Sequence, residues 1–159
     1  MACRIGDLYM VDLGNGQMRV FHHLLNDFTQ LGGNVVRIFK APIPISDKID
    51  LSSIVSSEVD FHAHTFCAVG VKLGLWKKIG HSKAGAPVTT WFRDSLDYGK
   101  PDVKVSQDWV VWRVNEARKH IGPLEGQYIN ADIGVIFSPI TLHKRLTDRE
   151  YQFAYPGFE

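Results

Sequence analysis

Apolar runs alternate with short polar breaks along this chain, and the period of the apolar positions suggests most of its elements. In "GDLYMVDLGNGQMRVFHHLL" two apolar-rich runs, Leu8 to Leu13 and Gln17 to Leu25, flank Gly14-Asn15-Gly16. Glycine and asparagine tolerate the positive φ of a tight reversal, so the segment reads as a β-hairpin. "GGNVVRIFK" supplies a third strand, with Val35, Val36, Ile38 and Phe39 after Gly32 and Gly33. The prolines of "APIPIS" favour extended structure. In "DKIDLSSIV", Asp50 is placed to cap a short helix in which Leu51, Ile54 and Val55 share a face.

Alternation returns at Val59. On a strand, Val59, Phe61, Ala63, Thr65 and Cys67 share one face, and Asp60, His62, His64 and Phe66 the other. The run continues through "AVGVKLGL" toward "WKKIG". "PVTTWFRD" reads as another short strand and "DYGKPDVKVSQDW" as a loop. "WVVWRVNEARKHIG" is ambiguous, but the β-branched and aromatic residues from Trp109 to Val114 suit a strand better than a helix. "ADIGVIF" is the last strand. "SPITLHKRLTDREYQF" is the best helix, with Ser138 as N-cap and Pro139 in the first turn. Strands first and one good helix late predict a single α+β domain over residues 1–159. Its sheet is mainly antiparallel and opened by the N-terminal β-hairpin, with a short middle helix and a C-terminal helix.

Composition narrows the classes. With 159 residues, including nine Phe, five Tyr and four Trp, the chain can bury a sizeable core. The net charge of +1 lacks the basic excess that nucleic acid or anionic membrane partners usually require. No stretch approaches the ~20 apolar residues of a membrane span, and "MACRIGDLYM" lacks the apolar run of a secretory signal. A cytoplasmic protein with Cys3 and Cys67 as reduced thiols is expected, since two cysteines make no disulfide framework.

The densest candidate chemistry is "DFHAHTFC". His62 and His64 fall on one face of a strand, within reach of one metal, whereas Cys67 points to the other face. A structural zinc site usually has four ligands, and no second Cys/His cluster of recognisable spacing accompanies these residues. His22 and His23 likewise face opposite ways. A Cys–His hydrolase built on Cys67 with His81 or His120 is the enzymatic alternative, but a lone strand cysteine is more often buried and inert. Trp76 beside Lys77-Lys78, and Trp112 beside Arg113, suggest a single-stranded nucleic-acid module; nearby acids at Asp94, Asp97, Asp102 and Asp108 offset the charge. The expectation is therefore no enzyme, no catalytic residue, no cofactor and no metal.

Three stretches resemble the immunity protein 26 family, bacterial proteins of polymorphic or contact-dependent toxin systems. They are the opening "GDLYMVDLGNGQMRVFHHLL", with Gly6, Asp7, Gly14 and Gly16; the middle "VDFHAHTFCAVGVKLGLWKKIG", a strand followed by a WxxIG signature at Trp76, Ile79 and Gly80; and "ADIGVIFSPITLHKRLTD", with Pro139, Arg145 and Leu146. They span most of the chain in the family's order. Departures are Asp12 where a proline is common and His22-His23 where Gly-Arg is often seen. The resemblance implies a protein that binds and neutralises one cognate toxin domain without catalysis. Loops on a rigid sheet concentrate binding residues, so the segment from Trp91 to Trp109 is the candidate toxin surface, with Arg93, Asp94, Asp97, Tyr98, Asp102 and Asp108. The same segment also fits an ordinary solvated connection.

Overall fold

The first hairpin forms around the turn the sequence marks. β1 (Asp7–Asp12) and β2 (Gln17–Asn26) pair antiparallel. Gly14 and Gly16 adopt φ of 75° and 79°, a region that penalises any Cβ. The Asp12 and Asn15 carboxylate and amide oxygens accept the N–H groups of Gly14 (2.8 Å) and Gln17 (3.1 Å). This computed structural model describes residues 2–84, 88–151, 153 and 155–158.

Four further strands extend the hairpin into a six-stranded sheet. They are β3 (Asn34–Phe39), the two-residue β4 (Ile43–Pro44), β5 (Val59–Thr65) and β6 (Lys77–His81). The order is β5-β3-β2-β1-β6, with β4 pairing at the far end of β2, and every pairing is antiparallel. Both faces are covered. Tyr9, Val11, Phe21, Val36, Ile38, Phe61 and Ala63 line one core, and Leu8, Met10, Met18, Val20 and Phe39 the other. The second core is closed by α1 (Leu51–Val55), where the Asp50 side chain accepts the Ser53 N–H as expected and Ile54 is buried.

The segment after β5 departs from the expected strand. Cys67–Lys72 is a helix, α2, so Cys67 does not continue the alternation of Phe61 and Ala63. Tertiary contacts override the local pattern. The Cys67 N–H is taken by the Asn34 amide oxygen (2.8 Å), and the Trp76 indole N–H donates to the Cys67 carbonyl (3.0 Å). Trp76 is buried against Phe21, edge to face at 5.1 Å. A Cβ on Gly70 would stand 1.9 Å from the Trp76 ring, so the helix reaches this position only with glycine there.

The mainly antiparallel α+β architecture expected is present and is divided between two sheets, the second of them four-stranded. The strands of this second sheet are β7 (Phe92–Ser95), β8 (Trp109–Trp112), β9 (Lys119–Gly122) and β10 (Asp132–Ile133), in the order β10-β7-β8-β9. β10 runs parallel to β7 and the other pairs are antiparallel. Of the stretch "PVTTWFRD" read as one strand, only its last part joins β7, and residue 87 lies outside the described residues. Phe92, Val110 and Trp112 pack with Val35 of the first sheet, and Asp132 of β10 accepts the His62 N–H of β5 (3.0 Å). The final helix, α3 (Pro139–Asp148), starts as predicted. Ser138 accepts the Thr141 N–H, Pro139 sits in the first turn, and Leu142 and Leu146 enter the first core. Among the described residues no helix is long and apolar enough to cross a membrane.

Candidate functional site

The N-terminal arm and the start of β1 gather a set of polar side chains around Asp7. Asp7 is fully buried. Its carboxylate accepts from Lys78 Nζ (2.6 Å), His81 Nδ1 (3.0 Å), the Arg4 N–H (3.0 Å) and, at 3.4 Å, the Tyr9 hydroxyl. Burial pushes its pKa up, but Lys78, His81 and the Arg4 amide outweigh it and hold the group at about 2. Gly6 turns the arm into β1 at φ 97°, and a Cβ there would stand 2.7 Å from the His81 ring. Gly80 is similarly constrained by Leu51, 2.5 Å from a Cβ.

Beside Asp7 lies a sulfur cluster. Cys3 from the arm, His23 from β2 and Cys67 from the start of α2 bring two Sγ atoms and one ring nitrogen within 4.8 Å of one another. Cys67 and His23 are buried and Cys3 is partly so. The Tyr9 hydroxyl bonds Cys3 Sγ. The neighbouring Cys67 thiol, with His23 and Tyr9, holds the Cys3 thiol down at about 5 against the opposing effect of burial. Cys67 is driven far up by Cys3 and by burial. Burial lowers the His23 pKa, but its contacts with Cys3 and Asn26 outweigh that and raise it. Of the two thiols, Cys3 is thus the one whose ionised form is favoured.

The histidines considered as a metal pair or as partners of Cys67 are each claimed elsewhere. His62 Nδ1 pairs with Asp132 (3.2 Å). His64 is fully buried, with Nε2 on Asp27 (3.0 Å) and its ring edge-on to Phe92 at 4.7 Å. Asp27 also accepts the N–H groups of Thr29, Gln30 and Leu31, which occupy its carboxylate as a loop cap. His81 serves Asp7, and His120 bonds Asp108 on the second sheet. Cys67 thus meets neither His62 and His64 nor the two histidines considered for a hydrolase; it meets Cys3 and His23. Those three residues are far apart in sequence with no fixed spacing, so no motif could reveal them.

The candidate toxin surface divides in two. Arg93 and Asp94 belong to β7 rather than to a loop, and Asp108 directly precedes β8. The Arg93 guanidinium lies over the Phe158 and Trp109 rings (4.6 and 5.6 Å) and donates to the Ile129 carbonyl (3.3 Å). Asp94 is half-buried, and burial raises its pKa. Asp97 accepts from the Ser95 and Ser106 hydroxyls, closing the base of the loop. Tyr98 and Asp102 remain exposed. So do Leu96 and Val105, which the sequence reading did not single out. Tyr98, Lys100, Lys104 and Tyr155 line a groove of about 400 Å³.

The structural motif residues have structural duties: Ile79 packs against the second core, and the Arg145 guanidinium sits over Phe61 and Tyr151 (5.2 and 4.8 Å). Compared with protein-family models, curated proteins and solved structures, the chain matches none.

Proposed function

We propose that this protein is a non-catalytic immunity protein that binds one bacterial toxin domain in the cytoplasm and blocks it. The observation that carries the reading is the excursion between β7 and β8. Leu96, Tyr98 and Val105 are 56%, 50% and 39% exposed on it, beside a groove able to receive a side chain. Its base is held by Asp97 with Ser95 and Ser106, and by backbone bonds that tie Lys104 and Ser106 to Gly157. An anchored loop that offers a tyrosine can supply a binding anchor, because tyrosine is enriched at hot spots and little ordering entropy opposes association. The ordered resemblance of three stretches to immunity protein 26 supports the same reading.

Protection demands tight binding. Nanomolar affinity corresponds to about −12 kcal/mol, and interfaces of that strength usually bury ~1,600 Å² in total. The loop alone is smaller than that, so adjoining parts of the second sheet would share the contact. The test pairs the chain with the toxin domain encoded by a neighbouring gene. Calorimetry should give a nanomolar complex, and co-expression should rescue growth. Tyr98→Ala combined with Asp102→Lys should weaken binding roughly tenfold or more without unfolding the protein. A folded chain that neither binds nor protects overturns the reading.

A further inference from the structure

The geometry points to a zinc-binding centre formed by Cys3, His23 and Cys67, which would fasten the N-terminal arm to the first sheet. Two sulfurs and one imidazole nitrogen suit zinc, whose tetrahedral shell sets such donors about 3.5–3.8 Å apart. Here they lie within 4.8 Å of one another before any metal draws them in. Cys3, the least buried of the three and carried by the arm, can close the difference by side-chain rotation.

The second observation is independent of that proximity. His23 is 1% exposed, and its Nδ1 has the Cys3 sulfur near it but no hydrogen bond of acceptable geometry among the described residues. An unmatched buried nitrogen costs stability unless it has a use. The tautomer that exposes its lone pair is dictated from the backbone. The Cys67 N–H can donate only to an oxygen, so it places Asn34 Oδ1 (2.8 Å). Asn34 Nδ2 then faces Asn26 and identifies the atom it meets as Oδ1 (2.9 Å). That oxygen accepts from His23 Nε2 (2.9 Å), so Nε2 carries the proton and Nδ1 is a free lone pair. An outer hydrogen bond that fixes the ring of a metal-binding histidine is the usual support of such a site, and here it also holds the backbone of another ligand.

Charge balance selects the metal. Two thiolates and a neutral imidazole exactly offset a divalent cation in number, and a centre with no net charge is what a buried position tolerates. A monovalent copper ion would leave one negative charge uncompensated. The fourth position falls to a solvent-sized ligand. A recess of about 10 Å³ lined by Cys3, Tyr9 and Ala68 adjoins the cluster, close to the size of one water. The Tyr9 hydroxyl lies between Cys3 Sγ and Asp7 Oδ2 at the edge of the cluster.

The test uses the full chain without an affinity tag, reduced, with both thiols verified by mass. Cobalt(II) added as a probe should bind one equivalent and give sulfur-to-cobalt charge-transfer absorption with the visible bands of four-coordination. Zinc should displace it and raise the melting temperature. Cys3→Ala, on the arm, should leave the metal-free protein folded by near-ultraviolet circular dichroism while lowering zinc affinity by about 100-fold or more. Asn26→Ala should lower it by about 10–100-fold through the ring it orients. A reduced, folded wild-type chain that takes up no cobalt overturns the proposal. So does a Cys3→Ala variant that binds zinc as tightly as wild type. Failure to bind cobalt combined with loss of both thiol hydrogens in air would instead make Cys3 and Cys67 a redox pair.

Discussion

The two sheets differ in the contacts that most of their charged side chains make. The first buries several polar groups against polar partners: Arg19 meets Asp60 at 2.6 Å, Asp7 gathers Lys78 and His81, His64 shares a hydrogen bond with Asp27, and Arg37 reaches His22 and two carbonyls. The second lays cations on ring faces, the half-buried Arg93 on Phe158 and Trp109 and, nearer the surface, Arg113 on Trp91, Arg118 on Trp112 and Lys119 on Tyr128. A buried ion pair has no substitute when one partner is lost, because the other stays desolvated. A cation on a ring at the surface can fall back on water, so its loss costs less. Loss of a buried pair in the first sheet is therefore expected to cost more than loss of a surface cation–ring contact in the second, the sheet that carries the exposed loop.

The largest effect expected is in the first sheet's core. Trp76→Ala should cost about 3–5 kcal/mol, since it removes a buried ring and opens a void beside Gly70. Urea unfolding would measure it, and a loss under about 1 kcal/mol would show that this side of the sheet repacks freely.

Next comes the buried carboxylate. Asp7 titrates at about 2 in the fold against an ordinary 3.8, so its contribution is complete above about pH 4 and disappears as pH falls toward 2. The amount is about 2 kcal/mol. Asp7→Asn should lower stability at neutral pH and flatten the acid limb in that window. Unfolding measured across pH 2–5 decides it, and an unchanged acid limb would remove Asp7 from the account.

On the second sheet Arg93→Ala should cost about 1–2 kcal/mol, the value of a partly desolvated cation–π contact and its packing. Arg93→Lys should recover only part, because an ammonium lacks the planar face. A cost matching that of Trp76→Ala would erase the contrast between the sheets.

The smallest stability effect belongs to the loop. Tyr98→Ala with Asp102→Lys should change unfolding by less than about 0.5 kcal/mol while toxin binding falls. Differential scanning calorimetry alongside binding would separate the two. Loss of fold would mean that the loop is structural.

The elements legible in the sequence are those decided locally. Gly14-Asn15-Gly16 sets the first reversal because positive φ is a property of those residues, and Asp50 and Ser138 cap their helices with bonds to N–H groups three positions on. Val35 to Phe39 carries its β-preference within itself. Other decisions depended on partners remote in the chain. Alternation carried Cys67 onward as strand until Asn34 captured its N–H and Trp76 its carbonyl. The strands after residue 91 looked like the continuation of one sheet, because period alone does not record which edge a strand joins. Arg93, Asp94 and Asp97 looked like free loop charges, yet ring faces, burial and serine hydroxyls occupy them. The sulfur cluster was least legible of all, since Cys3, His23 and Cys67 share no spacing and meet only when the arm, β2 and α2 pack together. Caps, turns and apolar periods act over a few bonds and are written in the sequence; juxtaposition of side chains across elements is set by how those elements pack, and only the tertiary structure decides it.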